Sequence, residues 1–210
     1  MPQHTPLELS RRNFLGRAGA VVAGLSALNA SALALAGCSS EATPATPQAA
    51  SEAPQVLTWN TVITAKDEPG RPLLVSGRIY GPDGKTPLEG VTLYVYHTDN
   101  TGLYPGDGIN PAPRLRGWMK TDREGRYEFR TIKPASYPNS SNPEHVHTKA
   151  SGPGFAERWL DNFWFEDDPL IPSDMRAKFD GQGAFSPVMA VKRDADGLLR
   201  CVRDIRLARA

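Results

Sequence analysis

Cysteine and excess charge of either sign are scarce in this sequence. Only 2 cysteines occur in 210 residues, so the chain is not a disulfide-stapled scaffold and its fold must depend on packing. The 24 Lys and Arg side chains balance 23 Asp and Glu, which leaves a net charge of +1. Because nucleic-acid binding needs a basic surface, and no basic stripe interspersed with aromatics occurs, DNA and RNA are excluded as partners. The 19 glycines and 19 prolines favour turns and short strands and argue against a helical bundle.

A long, strongly apolar run is also lacking, and the N-terminal segment instead has the features of an export signal. Residues 10–15 read SRRNFL, a twin-arginine pattern, and they precede a mildly apolar run at 18–36. That run is rich in Ala and Gly and contains Asn29, whereas a permanent membrane span needs about 20 strongly apolar residues. The run ends in Leu-Ala-Gly-Cys at 35–38, which has the form of a lipobox.

The sequence therefore predicts three segments. These are a twin-arginine signal peptide with lipobox at 1–37, a flexible Ser/Ala/Pro-rich tether at 38–55, and a folded domain at 56–210. We expect an exported protein, periplasmic or at the cell surface, whose only membrane contact is a lipid anchor at Cys38. The alternative is cleavage after an Ala-x-Ala site, which would leave Cys38 as an ordinary thiol.

The pattern of the folded segment is that of a β-protein. Turns such as Asp83-Gly84 separate the strand-like runs, and Tyr127 and Phe129 alternate with charged neighbours, as in a strand with one buried face. The runs lie at 56–64, 73–80, 91–97, 126–132, 145–151, 160–165, 185–191 and 199–205. The best helical signal is Ser173, an N-cap residue before a short run. These patterns predict an all-β fold: an antiparallel β-sandwich of about eight strands with mixed loops and one short helix.

Three histidines follow the export signal: His97, His145 and His147. Residues two apart in a strand share a face, so His145 and His147 can reach one ion, although a bare His-x-His pair also fits two histidines without a ligand role. Superoxide dismutase and cupin sites need more His or Glu ligands than the chain offers. A blue-copper site needs a His after its Cys, and a facial triad has a carboxylate where His147 stands. Two loop tyrosines, Tyr104 and Tyr137, remain as oxygen donors, and phenolate suits a hard Fe³⁺ ion.

An ordered set of motifs extends over most of the domain, from about residue 73 to residue 172. It consists of VSGRI at 75–79, YVYHTD at 94–99, GLY at 102–104, RG at 116–117, TDREGRYEFRTIKP at 121–134, YP at 137–138, PEHVH at 143–147 and FWFEDDP at 163–169. In this order the motifs resemble the intradiol ring-cleavage dioxygenases, nonhaem ferric enzymes that include catechol 1,2-dioxygenases and protocatechuate 3,4-dioxygenases.

The resemblance implies both a metal site and a reaction. Tyr104, Tyr137, His145 and His147 would be the ligands of a nonhaem Fe³⁺ ion, with a solvent-derived ligand in the fifth place. Tyr137 would leave the metal when a catechol chelates it and would accept a substrate proton. The implied substrates are a small aromatic diol and O₂. The implied product is a muconate-type diacid, formed by cleavage between the two hydroxylated carbons.

Two pocket positions depart from the family pattern. Asn142 stands three residues before the first histidine ligand, where family members usually have an arginine that stabilises anionic substrate. Asn162 stands where many relatives have a glutamine, which is a milder change. Arg114, Arg116 and Arg158 are candidates to supply the missing positive charge, and the sequence does not rank them.

A second hypothesis is a non-catalytic, transthyretin-like β-sandwich that serves as a binding or structural lipoprotein. This hypothesis accommodates Asn142, but it gives no reason for four ligand-type residues in family order, so the enzyme is preferred. Outside the ligand set, we expect His97 to be structural and Cys201 to be a buried, inert thiol. Members of the family often dimerise through an added N-terminal helical segment. No amphipathic helical pattern precedes residue 56 in this sequence, so the oligomeric state stays open.

Overall fold

The computed structural model describes residue 54, residues 56–104, residue 106 and residues 113–208. The predicted signal peptide, Cys38 and nearly all of the predicted tether lie outside these residues. Within the described part of the chain, no helix is both long enough and apolar enough to cross a membrane.

The described residues form twelve strands, one α-helix and one 3-10 turn. The elements are β1 (Asn60–Val62), β2 (Pro72–Tyr80), β3 (Thr92–His97), β4 (Arg116–Lys120), β5 (Arg126–Ile132), β6 (His145–Gly152), β7 (Phe155–Trp159), β8 (Phe163–Phe165), α1 (Ser173–Phe179), the 3-10 turn (Gly183–Phe185), β9 (Val188–Met189), β10 (Lys192–Arg193), β11 (Leu199–Val202) and β12 (Ile205–Arg206). The predicted all-β sandwich with one short helix is confirmed. Several of the strands beyond the expected eight are only two or three residues long, too short for an alternating pattern to show in the sequence.

The strands form two sheets of six. The first has the order β1-β5-β2-β11-β10, with β12 also paired to β2, and the second has the order β4-β3-β6-β8-β9, with β7 also paired to β6. The long pairs β2–β5, β3–β4 and β3–β6 are antiparallel, whereas the short pairs β1–β5, β2–β11, β2–β12 and β8–β9 are parallel. Strand β6, which begins at His145, lies in the middle of the second sheet.

Alternate residues of the central strands build the core between the sheets. Those of β3 and β6 with side chains at most 2% exposed are Leu93, Val95, His97, Val146, Thr148 and Ala150. Successive side chains of a strand point to opposite faces, so Tyr94, Tyr96, His145 and His147 lie on the other face of the second sheet. The alternation therefore places both candidate histidine ligands on the outer face of the sandwich.

Two residues outside the ligand set have the roles expected of them. Cys201 is a buried free thiol, and burial raises its pKa to about 12, so it stays protonated and inert. His97 is fully buried, with Nδ1 2.6 Å from the carbonyl oxygen of Thr98 and Nε2 2.7 Å from Oγ1 of Thr131. A carbonyl oxygen can only accept, so Nδ1 donates to it and Nε2 accepts from the Thr131 hydroxyl. This bond joins β3 to β5 across the core, a structural role.

Burial of His97 predicts a pH dependence of folding stability. Burial lowers the pKa of His97 to about 4, against about 6.5 in the unfolded chain. Below pH 6.5 the unfolded state therefore binds more protons than the folded state. The contribution of His97 to folding stability is complete above that pH and is lost as the pH falls towards 4. When the pH is lowered from 7 to 4.5, we expect the unfolding free energy of the wild type to fall by about 2 kcal/mol more than that of the His97→Gln variant. Urea unfolding of both proteins at the two pH values tests this, and equal losses would contradict it.

Candidate metal centre

The two histidines of β6 present their Nε2 atoms to the same point. His145 and His147 are two residues apart on one face, and their Nε2 atoms lie 3.1 Å from each other. Nδ1 of His145 is 2.6 Å from the carbonyl oxygen of Pro143. That oxygen can only accept, so Nδ1 carries the proton and Nε2 keeps its lone pair. A backbone carbonyl that fixes the tautomer in this way is typical of a metal-ligating histidine.

Two loops bring the tyrosines to the histidines. Tyr104 follows β3 in a loop organised by Asp99, whose Oδ1 accepts from the backbone N–H of Leu103 at 3.1 Å. Tyr137 lies in the connection from β5 to β6. The loops are tied together by the N–H of Ala135, which donates to the carbonyl of Asp99 at 3.1 Å, and by the Thr98 hydroxyl, which donates to the carbonyl of Ala135 at 2.7 Å.

The four side chains end in one cluster of donor atoms. Oη of Tyr137 lies 2.6 Å from Oη of Tyr104, 3.2 Å from Nε2 of His145 and 3.1 Å from Nε2 of His147. Nε2 of His147 is also 2.9 Å from Oη of Tyr104. Ligands about 2.0–2.1 Å from a single ion, at roughly right angles, would be about 3 Å apart. The spacing of the four atoms therefore fits one metal ion.

The charge state of the cluster without metal follows from its burial. Burial and the hydrogen bond with Tyr137 raise the pKa of Tyr104 far above its usual value, so this phenol is protonated at neutral pH. Burial, and next the neighbouring His145, lower the pKa of His147 to about 4, while a hydrogen bond with Asn162 opposes that shift. The imidazole of His147 is thus neutral at pH 7 and able to ligate a metal.

The donor chemistry fits a hard trivalent ion. Two phenols and two imidazoles converge, and the described residues contain no group of three or more His, Cys, Asp or Glu that would suit zinc or calcium instead. Phenol oxygens become strong anionic ligands once a cation displaces their protons. The arrangement suits Fe³⁺ better than a divalent ion, because two phenolates offset two of its three charges.

A buried ion cluster supports the first histidine. Lys133 is 4% exposed, and its Nζ lies 2.7 Å from a carboxylate oxygen of Glu144 and 2.5 Å from one of Asp167. The backbone N–H of Glu144 donates to the buried Asp168 carboxylate at 2.6 Å. Since Glu144 directly precedes His145, these bonds fix the start of β6 and with it the direction of the His145 ring.

The two asparagines are placed differently. Asn162 contacts His147, and its backbone carbonyl accepts from the guanidinium of the buried Arg203 at 3.1 Å. Asn142 is exposed, and its backbone N–H donates to Oγ of Ser140 at 3.0 Å. Within the described part of the chain, no hydrogen bond links the Asn142 side chain to the four donor atoms.

Sequence reasoning missed one residue in direct contact with the cluster. The ring of Tyr96 stacks on that of His147, with centroids 4.5 Å apart and planes 20° apart, and it lies 5.9 Å from the ring of Tyr104. The contact arises because Tyr96 is the cross-strand partner of His147. Sequence alternation shows that Tyr96 shares a face with Tyr94, but only the pairing register shows which residue it meets.

Comparison with known proteins finds similarity to dioxygenases. A family model described as dioxygenase matches residues 45–185. Catechol 1,2-dioxygenase 2 of Acinetobacter lwoffii is 30% identical over 140 residues, covering 53% of this chain and 50% of the relative. The protocatechuate 3,4-dioxygenase beta chain of Burkholderia cepacia is 33% identical over 130 residues, covering 56% of this chain and 54% of the relative. The chain thus spans about half the length of the curated relatives it matches.

Solved structures of dioxygenases are also similar to this chain. The dioxygenase domain of a dioxygenase carbohydrate-binding protein fusion from Streptomyces sp. SirexAA-E superposes with a TM-score of 0.56 at 29% identity, covering 75% of this chain and 92% of that one. Catechol 1,2-dioxygenase from Pseudomonas arvilla C-1 superposes with a TM-score of 0.58 at 22% identity, covering 78% of this chain and 60% of that one. At 22% identity, the similarity to the Pseudomonas arvilla enzyme shows a shared fold and nothing more.

Proposed function

The chain belongs to the intradiol ring-cleavage dioxygenase family, and we propose that it is a nonhaem Fe³⁺ enzyme that opens a catechol-type ring with O₂. The bond that breaks joins the two hydroxylated carbons, and both atoms of O₂ end in the product, a muconate-type diacid. Catechol has the formula C₆H₆O₂ and the diacid C₆H₆O₄, so the reaction needs no further oxidant or reductant.

One observation carries the proposal: the phenol oxygens of Tyr104 and Tyr137 and the Nε2 atoms of His145 and His147 converge within 2.6–3.2 Å contacts. A purely structural sandwich gains nothing from packing four unlike polar groups together on the outer face of a sheet. The non-catalytic alternative has no comparable observation in its favour.

These four residues would hold the iron. When bound, Fe³⁺ supplies Lewis acidity and draws electron density from a catecholate, so that the ring reacts with O₂. His145 is held in its ligating tautomer by the carbonyl of Pro143. The ring of His147 is held by stacking on the ring of Tyr96, its cross-strand partner.

Proton transfer falls to Tyr137. Of the two phenol oxygens in the cluster, that of Tyr137 is the one within 3.2 Å of all three other donor atoms, so it lies close to any oxygen that enters. A phenolate at this place can take the proton of a catechol hydroxyl as that hydroxyl approaches, which is general-base catalysis by a residue that also ligates. Asn142 and Asn162 carry no charge, so a positive charge for the substrate must come from another residue.

The test is a visible absorption spectrum of the purified full-length chain loaded with Fe³⁺. We expect a broad tyrosinate-to-iron charge-transfer band, a shift of that band when catechol is added without O₂, and a ring-opened diacid once air is admitted. A folded protein that takes up no iron and stays colourless would overturn the proposal. A coloured protein that leaves catechol intact would refute the activity but not the metal site.

We also propose export by the twin-arginine route and lipid attachment at Cys38, which would place the enzyme outside the cytoplasm. The support is the SRRNFL pattern and the lipobox ending at Cys38. Cells fed a labelled fatty acid should yield a labelled, membrane-associated wild-type protein and an unlabelled Cys38→Ser variant. Recovery of unlabelled wild type from the cytosol alone would contradict both parts.

A further inference from the structure

The outer face of the second sheet carries a row of three side chains that leads away from the metal cluster. His147 on β6 pairs with Tyr96 on β3, and Tyr96 pairs with Arg116 on β4. Cross-strand partners lie on the same face, with Cα atoms about 5 Å apart, so Arg116 begins about 10 Å from His147. Tyr96 lies between them on this face of the sheet.

Arg116 has one hydrogen-bond donor that the described residues leave without an acceptor. Its Nη1 donates to the carbonyl oxygen of Pro113 at 2.6 Å, and its guanidinium lies 5.8 Å from the ring centroid of Trp118. Its Nε is buried and has no hydrogen-bond partner among the residues that the structure describes. A buried N–H without a partner costs free energy, so the guanidinium of Arg116, a residue that pairs with Tyr96 and shares its face of the sheet, has unused capacity to bind an anionic group.

The other two candidate arginines are already engaged. Arg114 forms a bidentate pair with Glu68 through contacts of 2.7 and 2.8 Å, so its charge is neutralised. Arg158 pairs with Ala150, a core residue, so it starts from the opposite side of the sheet from Tyr96, and it donates to the carbonyl of Ala208 at 2.9 Å. The structure therefore ranks the three, and Arg116 is the one whose charge is available beside the site.

The surroundings of Arg116 suit an aromatic or extended carbon chain. Tyr94 lies 4.7 Å from Trp118 and 5.7 Å from Tyr96, measured between ring centroids. Beside these rings the face is concave, with a depression of 300 Å³ whose lining includes Tyr94, Trp118 and Lys149. Lys149 is paired with Glu157 at 3.1 Å, so it does not compete with Arg116 for an anion.

We propose that Arg116 and the ring of Tyr96 form a subsite for a negatively charged substituent, so that the preferred substrates are catechols that carry an acidic side chain. The diol binds at the four-donor cluster, the side chain crosses the ring of Tyr96, and its carboxylate meets Arg116. This inference deepens the proposed function and rests on it. It also answers the question that Asn142 raises: the positive charge acts on the substituent of the substrate from β4 rather than on its ring from the loop before β6.

The experiment compares two ligands that differ only in charge. The probes are 3-(3,4-dihydroxyphenyl)propanoate and the corresponding propanol, titrated into the iron-loaded protein without O₂ and followed by the visible spectrum and by tryptophan fluorescence. We expect the wild type to bind the acid about tenfold more tightly than the alcohol, as a charge-assisted hydrogen bond allows. Arg116→Gln should bind both alike, and Arg116→Lys should keep part of the preference. Arg158→Gln, the matched control, should behave as the wild type.

The outcomes separate this inference from the proposed function. A wild type without preference for the acid, or an Arg116→Gln variant that keeps the preference, overturns the subsite. If the wild type takes up no iron, the same titration of the iron-free protein by fluorescence still measures the preference for the acid, so failure of the metal site and failure of the subsite are distinguishable. Thermal unfolding of each variant checks its fold, and Arg116→Lys carries the test if Arg116→Gln does not fold.

Discussion

Tyr137→Phe is expected to lower the affinity for Fe³⁺ by more than about 100-fold and the rate of catechol cleavage by at least about 100-fold. The change keeps the ring but removes the oxygen that contacts all three other donor atoms, at 2.6, 3.1 and 3.2 Å. It therefore removes a ligand and the proposed proton acceptor together. Iron stoichiometry, the charge-transfer band and diacid formation under excess iron measure the two losses separately.

The matched control is Tyr80→Phe. Tyr80 lies at the end of β2 and packs against Phe185, with ring centroids 5.7 Å apart. Removing its hydroxyl should leave iron content, colour and turnover unchanged. If Tyr137→Phe kept the iron and the rate of the wild type, the four-donor cluster would not be the catalytic centre.

Gly102→Ala is expected to destabilise the fold by about 3 kcal/mol and to weaken iron binding more than tenfold. Gly102 has φ of +81°, and a Cβ at this position would lie 2.0 Å from the carbonyl oxygen of Ser136. Gly102 is two residues before Tyr104, and Ser136 directly precedes Tyr137. A side chain here must push the two loops apart, and with them the phenol oxygens that are now 2.6 Å apart.

Gly154→Ala separates backbone strain from the loop contact. Gly154 also has a positive φ of +78°, but a Cβ there would meet nothing within 4 Å. It should cost about 1 kcal/mol, the strain of the left-handed conformation alone, and leave iron binding intact. Urea unfolding and iron titration of both variants provide the comparison. Equal behaviour of the two would mean that the approach of Gly102 to Ser136 does not hold the site together.

Local patterns of the sequence were enough to predict the fold class, and the resemblance to the intradiol dioxygenases implied the ligand set. The alternation around Tyr127 and Phe129 predicts a strand with one buried face, and both side chains are at most 1% exposed in the core. The spacing of His145 and His147 predicts a shared face, because a strand has a two-residue repeat. The structure brings both histidines together with Tyr104 and Tyr137, although the two tyrosines come from separate loops.

Contacts between distant segments were beyond the reach of the sequence. No local pattern predicts that Lys133 meets Glu144 and Asp167, since each pair depends on how β5, β6 and β8 are placed. The sequence did not distinguish the short strand β12 from β11, because two residues are too few to show an alternating pattern of buried and exposed side chains.

For this protein, the sequence by itself determined which residue types are available for chemistry and which face of a strand each occupies, because these depend on the local backbone repeat. Only the tertiary structure decided which of three arginines lies beside the site. Arg116 is there because the register of β3 sets Tyr96 opposite both His147 and Arg116. Register is a relation between strands and is fixed by the packing of the whole sheet against its core. The sequence of any one strand therefore does not reveal which residues it pairs with.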